Sequence, residues 1–567
     1  MKRMKISLMF LSSIIAIIFI FSLTCLADNW TQFQGDIQNN GITSDKAPIT
    51  APESPLCWDV YTSATGMAGI DIVPLVAGDM VYVAAYDGSV RAYDWETGEL
   101  QWVRPSSGGG FLTGNLAYAE GKLFVPTNAG KIHAYNGATG LQLWNVVVSS
   151  GELDSPLTYY DGRIYVGDFE GEDKYYCYDT SGFECWNRSS SSGEQYKWTG
   201  TAIVGESNNY LVFGDDGSYL TSVYKNNGTT VDELNISSLW ANFDAKEIRS
   251  SICYDEQNNR IYLSSRAGYC FSIGMNHDGS FNSSDIARQN LGLASTSTPV
   301  VYNDRVYVGA GLYGSSGKLC CLNASDLSLI WYYSPNGGVQ ASPVVSTAYD
   351  DGDGEVYIYF TSNNEDAKVY CLKDFQGNTQ SKIQWEYQPA TEKNGYTIQG
   401  VSVSCGRLFY GNDEGYLFSL ATGESLQTQT VFSNFTANVT SGDVPLTVEF
   451  TDLSTGASLW RWDVDGDGEI DYTIKNPVHT YDSPGVYNVT LNVIGSQGTA
   501  SRTKQNYINV DWNPWNDPES EDGELISNSE MQTAVIKWKN QIPLQDVDYV
   551  ISNSDIQTLV IKWKNKT

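Results

Sequence analysis

Apolar and polar positions alternate along most of this 567-residue chain in short runs broken by Gly- and Asp-containing turns. Met80-Val81-Tyr82-Val83 followed by Asp87-Gly88 reads as a buried strand entering a hairpin. The runs recur. One copy spells Ala92-Tyr93-Asp94-Trp95-Glu96-Thr97-Gly98-Glu99-Leu100-Gln101-Trp102, and the next spells Ala134-Tyr135-Asn136-Gly137-Ala138-Thr139-Gly140-Leu141-Gln142-Leu143-Trp144. The two copies lie 42 positions apart, a period that belongs to propeller blades rather than to helical repeats. Blades of this kind stack radially, so each buries both faces of its sheet against its neighbours.

The second strand of a unit begins near Met80, Lys122, Arg163, Tyr210, Arg260, Arg305, Glu355 and Arg407, which predicts eight blades. An outer strand ending in Trp is read at Trp102, Trp144, Trp186, Trp240, Trp331 and Trp385. The unit around Ile286 to Leu293 has lost its Trp. The unit at Arg407 has no outer strand after it, whereas an unpaired one, Leu56-Cys57-Trp58-Asp59-Val60, stands at the front. The expectation is that Trp58 completes the last blade and closes the ring, leaving only short edges. Two longer intervals, Trp186 to Trp240 and Trp331 to Trp385, are assigned to surface insertions.

The Ala-x-Asp-x-x-Thr-Gly-x-x-x-Trp pattern resembles the PQQ-like repeat of the quinoprotein alcohol dehydrogenases. Trp30-Thr31-Gln32-Phe33-Gln34-Gly35-Asp36 with Gly41 resembles the segment that opens many such propellers. The resemblance implies that the repeat Trp docks between blades. It extends to a family holding both enzymes that use pyrroloquinoline quinone and non-catalytic scaffolds. From about Phe432 the pattern changes. Val444-Pro445-Leu446-Thr447-Val448-Glu449-Phe450 alternates like a half-buried strand. With Trp460-Arg461-Trp462-Asp463, Asn476-Pro477-Val478-His479-Thr480-Tyr481 and Gly485-Val486-Tyr487-Asn488-Val489, it resembles the PKD domain, an immunoglobulin-like sandwich used as a spacer or adhesion module.

The reading is therefore all-β: an eight-bladed β-propeller, then a PKD sandwich, then a short helical pair. Residues 1–27 read as a signal peptide, 28–425 as the propeller, 432–510 as the PKD domain, 511–524 as an acidic linker and 525–567 as a duplicated tail. The signal consists of Lys2, Arg3 and Lys5, the apolar run Ile6 to Leu23, and Cys25-Leu26-Ala27 before Asp28; an uncleaved anchor is the alternative. In the tail, Ile526 to Asn540 recurs as Ile551 to Asn565, with Met531, Ala534, Val535 and Trp538 at helical spacing. This layout resembles a dockerin or paired EF-hand and the tails of archaeal surface proteins, which implies a cohesin-like or self partner. Asp546, Asp548 and Asp555 match a Ca2+ loop only in part, so metal-free helices are expected.

Candidate chemistry is sparse. Asp463, Asp465, Asp467 and Asp471 place alternate carboxylates on a Gly-containing loop, where they could converge on Ca2+ or form a plain acidic turn. A second loop, Asp350-Asp351-Gly352-Asp353-Gly354, reads as a turn. The net charge of −32 argues against nucleic acid. Ten Asn-x-Ser/Thr sequons occur, of which Asn187, Asn227, Asn235, Asn282, Asn323, Asn434, Asn438 and Asn488 are the glycosylation candidates inside the two β domains. Cys177, Cys270, Cys321 and Cys371 are read into the small-residue slot held by Ala92 and Ala134. Cys177–Cys185 is the best disulfide candidate, and a vicinal Cys320–Cys321 bridge is disfavoured because neighbours on a strand face opposite ways.

His133, His277 and His479 are the only histidines, and none sits in a catalytic motif. No residue can be assigned to a quinone site, because Trp58, Trp102, Trp144, Trp186, Trp240, Trp331 and Trp385 are taken up by blade packing. The expectation is a secreted or cell-surface scaffold that binds protein or carbohydrate, without pyrroloquinoline quinone and with Ca2+ in the PKD loop. No membrane span is expected after cleavage. The alternative is a quinone-dependent, Ca2+-assisted alcohol dehydrogenase.

Overall fold

The computed structural model describes residues 30–53, 57–62, 69–105, 114–193, 196–205, 209–314, 316–350, 352–423, 425, 433–454, 457, 459–495, 498–511, 528–540, 556–557 and 559–560. The expected signal peptide, Asn29, Asn565 and most of the linker and second tail copy lie outside these residues. Residues 25–427 form one compact unit, and residues 428–567 belong to another. Among the described residues no helix is long and apolar enough to cross a membrane.

Eight antiparallel blades build the first unit, seven of four strands and blade 7 with a fifth, Ile42–Thr43, added in parallel to its inner strand. Blade 1 comprises Leu75–Ala77, Met80–Ala84, Ser89–Asp94 and Leu100–Pro105, from the inside outward. The inner strands of blades 2 to 7 are Ala117–Ala119, Thr158–Tyr160, Ala202–Val204, Cys253–Asp255, Val300–Tyr302 and Val344–Ser346. Blade 8 comprises Ser402–Ser404, Arg407–Gly411 and Tyr416–Leu420, and its outermost strand is Trp58–Tyr61. Trp58 pairs with Ser419 and Tyr61 with Tyr416, so the N-terminal strand closes the ring as the sequence predicts. The second and third strands of each blade are buried on both faces; the second read as apolar runs, while the third carry polar residues such as Arg91, His133 and Ser222. The outer strands, exposed on one face, alternate, as in Leu100–Pro105.

The repeat motif is a contact between blades. Trp102 of blade 1 donates its Nε1–H to Gly137 O of blade 2 at 2.8 Å, Trp144 to Thr180 O at 3.0 Å, and Trp186 to Lys225 O at 2.8 Å. Trp58 donates to Trp95 O and Trp385 to Pro48 O, while Trp331 reaches Asp374 Oδ1. The indole of Trp102 covers the Gly140 backbone, which has φ +67°. A Cβ there would lie 2.6 Å from the ring, so the Thr-Gly of one repeat is the seat of the Trp before it. Across from these Trp, Ala92, Ala134, Cys177, Cys321, Cys371 and, for Trp58, Ser419 fill the small-residue slot.

Three expectations are corrected here. Trp240 does not end the outer strand of blade 4: it follows the 3-10 turn Ile236–Leu239, and it packs on blade 5 from there, against Phe271 and beneath the Arg288 guanidinium at 4.3 Å. Blade 4 places Asp232 at the Trp position, opposite Ser222, and its carboxylate accepts the Phe281 N–H of blade 5 at 3.0 Å. In blade 5, Ser272 occupies the small-residue slot, opposite Ala287, and Cys270 lies two residues away on the same face. Cys177 and Cys185 are free thiols, as are Cys320 and Cys321: Cys177 pairs with Trp186, and Cys185 falls at the bulge beside it.

The segment from Trp30 to Ala47 crosses the central channel and bonds to one inner strand after another. Trp30 pairs with Val76 of blade 1, Thr31 O accepts from Tyr118 N of blade 2, and the Gln32 side chain accepts from Tyr159 N of blade 3. Ile37 O and Gln38 O accept from Ile203 and Tyr254 of blades 4 and 5, Gly41 O accepts from Val345 of blade 7, and Asp45 accepts from Cys405 N of blade 8. Asn39 Nδ2 donates to both Thr201 O and Ile252 O. These bonds satisfy inner-strand groups that would otherwise be open edges and plug the channel at the end where first and second strands join.

In the second unit, Phe435–Ala437, Leu446–Asp452 and Val478–Tyr481 form one sheet; Ser441–Asp443, Gly498–Asp511, Gly485–Gly495 and Leu459–Asp463 form the other. Fully buried Trp462 packs between Phe435 and Phe450, as expected of the PKD sandwich. In the tail, Asn528–Asn540 is helical, and Met531 and Ala534 pack on their sequence equivalents Ile556 and Leu559.

Candidate functional site

Because the N-terminal segment plugs one end of the channel, the opposite end and the outer rim are the surfaces left to a ligand. The opposite end is built from repeat-equivalent loops. Three residues before the inner strand, Ser155, Thr199, Ser250 and Ser297 each accept the backbone N–H ending the second strand of their blade: Gly167, Gly214, Ser264 and Gly309. One position earlier the chain varies: Asp71 in blade 1, Asp154 in blade 3, Trp198 in blade 4, Arg249 in blade 5, Thr296 in blade 6 and Gln340 in blade 7. Trp198 and Arg249 meet the hairpin turn of the preceding blade, whereas Gln340 accepts from Asn363 in the turn of its own blade. Trp198 lies on Phe169 with ring centroids 4.6 Å apart, and Arg249 pairs with Asp216 at 2.6 Å while lying over Trp198 at 4.8 Å. Asp71 faces Asp413.

Beneath this ring, Lys197 and Asp215 form a buried ion pair at 3.2 Å with Ser190 and Ser192 bound to the same carboxylate. Asp168 accepts from Ser149, Tyr176 and the backbone N–H groups of Glu172 and Lys174. These groups are saturated by their neighbours and hold loops in place.

On the rim, a cleft of about 540 Å3 opens at the seam of blades 8 and 1, lined by Val60, Tyr61, Tyr93, Leu100 and Val103, with Arg91 in its wall. Leu100 and Val103 stay exposed on the outer strand of blade 1. Leu141, Leu143 and Val147 stay exposed on or beside that of blade 2. Each outer strand is paired on one side only, so it offers unsatisfied backbone groups beside an apolar strip.

In the PKD loop, carboxylate oxygens of Asp463, Asp465 and Asp471 lie within 4.8 Å of one another. Asp467 is not among them; its carboxylate accepts the Glu469 N–H at 2.8 Å. Asp463 accepts from Gly466 and Gly468, and Asp471 from Val464, so the loop already neutralises part of the charge with backbone donors. Burial, then the charges of Asp471, Asp467 and Asp463, push the Asp465 carboxyl above its ordinary range. Of the sequon asparagines, Asn187, Asn227 and Asn438 are exposed; Asn235, Asn282, Asn323, Asn434 and Asn488 are partly so.

Fold and loops together define an eight-bladed propeller of PQQ-like repeats followed by a PKD sandwich. Residues 56–115, 104–277 and 281–429 match the family model described as "Outer membrane protein assembly factor BamB", and the chain belongs to that family. Residues 430–510 match the PKD domain. The BamB of Shewanella oneidensis is 35% identical over 136 residues, 24% of this chain and 32% of that protein. Methanol dehydrogenase [cytochrome c] subunit 1 of Paracoccus denitrificans is 38% identical over 80 residues, 14% of this chain and 12% of that subunit. The chain thus spans about a third of the first relative's length and about an eighth of the second's. The quinohemoprotein alcohol dehydrogenase of Comamonas testosteroni superposes with a TM-score of 0.51 at 12% identity, covering 69% of this chain and 80% of that one; at that identity the likeness is one of fold.

Sequence reasoning missed the ring of loop positions and the channel plug. The first was hidden because its residues differ in every blade. The second had a signal, the polar Gln32, Gln34, Asn39 and Asn40 interleaved among the residues opening the propeller, which read only as a family feature.

Proposed function

We propose that this protein is an exported scaffold of the cell envelope or surface whose propeller rim binds a protein partner. The observation carrying this reading is the apolar strip of Leu100, Val103, Leu141, Leu143 and Val147 beside open outer strands and the blade 8–1 cleft. An extended segment can add to such an edge through backbone hydrogen bonds while its apolar side chains fill the strip. The relatives' name, an assembly factor of outer membrane proteins, describes a partner-binding role of the same kind. The PKD sandwich then serves as a spacer, and the tail, whose two copies pack through Met531, Ala534, Ile556 and Leu559, as a second docking element for a surface protein or a second chain. The expected signal peptide and glycosylation of exposed Asn187, Asn227 and Asn438 fit an exported protein. Affinity isolation from the native envelope tests the reading. The wild type is expected to recover a discrete partner, and Leu100→Glu with Val103→Glu to recover it at least about tenfold less. Equal recovery would refute the rim as the binding surface.

A second proposal concerns the PKD loop. Its three gathered carboxylates suit a hard cation such as Ca2+, bound through oxygen ligands. Calorimetry on the full chain should lose one binding event on Asp465→Ala. The quinone-dependent alternative rests on the likeness of fold, and its test is dye-linked alcohol oxidation after adding pyrroloquinoline quinone and Ca2+.

A further inference from the structure

The seams at the open end repeat one geometry with different chemistry. At the blade 4–5 seam, Ile248 N donates to Asp215 O, which sets Arg249 against Asp216 in a two-pronged ion pair. At the blade 3–4 seam, Lys197 N donates to Asp168 O, which sets Trp198 against Phe169. At the blade 8–1 seam the same bond runs from Ile70 N to Asn412 O at 2.8 Å, and it sets Asp71 against Asp413. The approach there is tight: a Cβ on Gly69 would lie 2.1 Å from Asn412 O. Where the blade 4–5 seam has a carboxylate and a guanidinium, the closing seam has two carboxylates.

Among the described residues no cation pairs with either carboxylate. Asp71 is 4% exposed and Asp413 6%. Asp71 Oδ1 is buried and has no hydrogen-bond partner among the described residues. Among the described residues Asp413 accepts the Tyr396 N–H, at 2.7 Å, through Oδ1, and otherwise interacts with its own backbone N–H. The nearest further charge on Asp413 is Glu414, also acidic. Two like charges in low dielectric cannot both persist without a cation or a proton.

We propose that Asp71 and Asp413 bind a divalent cation, Ca2+ by the hardness of its oxygen donors, which takes the place that Arg249 holds at the blade 4–5 seam. Burial pushes the Asp71 carboxyl up to about 7, with the charge of Asp413 adding to it, and burial pushes Asp413 up to about 6. An ion there would join the Gly69–Asp71 approach to blade 1 to the hairpin turn of blade 8. It would therefore clasp the ring at its one non-covalent closure, at the opposite end from the plug.

The test uses the full chain carrying Asp465→Ala, so that the PKD loop does not contribute, with Ca2+ as the probe at a pH above about 7. Equilibrium dialysis should show about one Ca2+ per chain in this parent and none in Asp71→Asn or Asp413→Asn. Ca2+ should raise the unfolding temperature of the parent and leave both variants unmoved. Asp71→Arg, which copies the Arg249–Asp216 pair, should match the Ca2+-loaded parent without Ca2+ and respond to none. The proposal is overturned if the parent binds no Ca2+ at millimolar concentration, or if either Asn variant keeps the ion. Asn variants more stable than a parent that ignores Ca2+ would show a shared proton instead, and would equally overturn it.

Discussion

At the scale of single residues, the repeat motif is two halves of one contact. Trp102 is made for Gly140 of the next blade, not for its own sheet, and the indole N–H lands on Gly137 O. Trp102→Ala should cost about 3–5 kcal/mol, as for other buried aromatic truncations. Gly140→Ala should cost about 1–3 kcal/mol through the clash alone. Denaturant unfolding of the double variant should be far from additive, since both changes disturb the same contact; simple additivity would contradict the pairing. The pH dependence also resides in single residues. Asp71 and Asp413 have folded pKa values above 3.8, at about 7 and about 6, and buried Asp36 in the plug rises to about 6 through the same burial. A carboxyl of this kind favours the fold in its protonated form. That stability is complete below the unfolded value and is lost as pH rises through the folded one. For Asp71 the whole effect is roughly 4 kcal/mol. Chelated protein should therefore melt at falling temperatures between about pH 4 and pH 8, and Asp71→Asn should flatten the slope. A melting temperature that rises steadily across this range would contradict the assignment.

At the scale of elements, strands were legible and loops were not. The second strands carry apolar runs because neighbouring blades cover both faces, and the 42-residue spacing of Met80 and Lys122 sets the period from which the longer later intervals depart. Closure by Trp58–Tyr61 was legible from a count, one outer strand too many at the front and one too few at the end. Trp240 misled because an insertion sets a Trp just beyond the outer strand, whereas the docking position had gone to Asp232, a residue that bonds rather than stacks. The plug was not legible as structure, since its turns, held by Asp36 and Gln34, follow no strand or helix period and its path is set by bonds to the inner strands. Asn39 shows what it contributes: Asn39→Ala would remove the donor to Ile252 O and leave Thr201 O with the Thr158 hydroxyl alone, and should cost about 2 kcal/mol. Hydrogen exchange on the variant should speed up at Ile203 and Tyr254, the inner-strand residues the plug holds in blades 4 and 5. No change there would mean that the segment merely lies in the channel.

At the scale of the whole molecule, a propeller plugged at one end presents a rim and one ring of loops. The rim carries the apolar strip of blades 1 and 2, and the loop ring is mostly occupied by its own ion pair and aromatic contacts. That division is why the partner is assigned to the rim and the cation to the closing seam. None of the seam chemistry could be read from composition, because an Asp in one repeat and an Arg in another become comparable only once backbone bonds superimpose them. The most direct test of the scaffold reading is photocrosslinking in the native host, with a photoreactive residue placed in turn at Leu100, Leu143 and, as a control on the opposite-end loops, Tyr313. The account predicts a discrete protein adduct from Leu100 and Leu143 and none from Tyr313. An adduct from Tyr313 alone, or none from the rim in a chain that oxidises alcohols once supplied with pyrroloquinoline quinone, would contradict it.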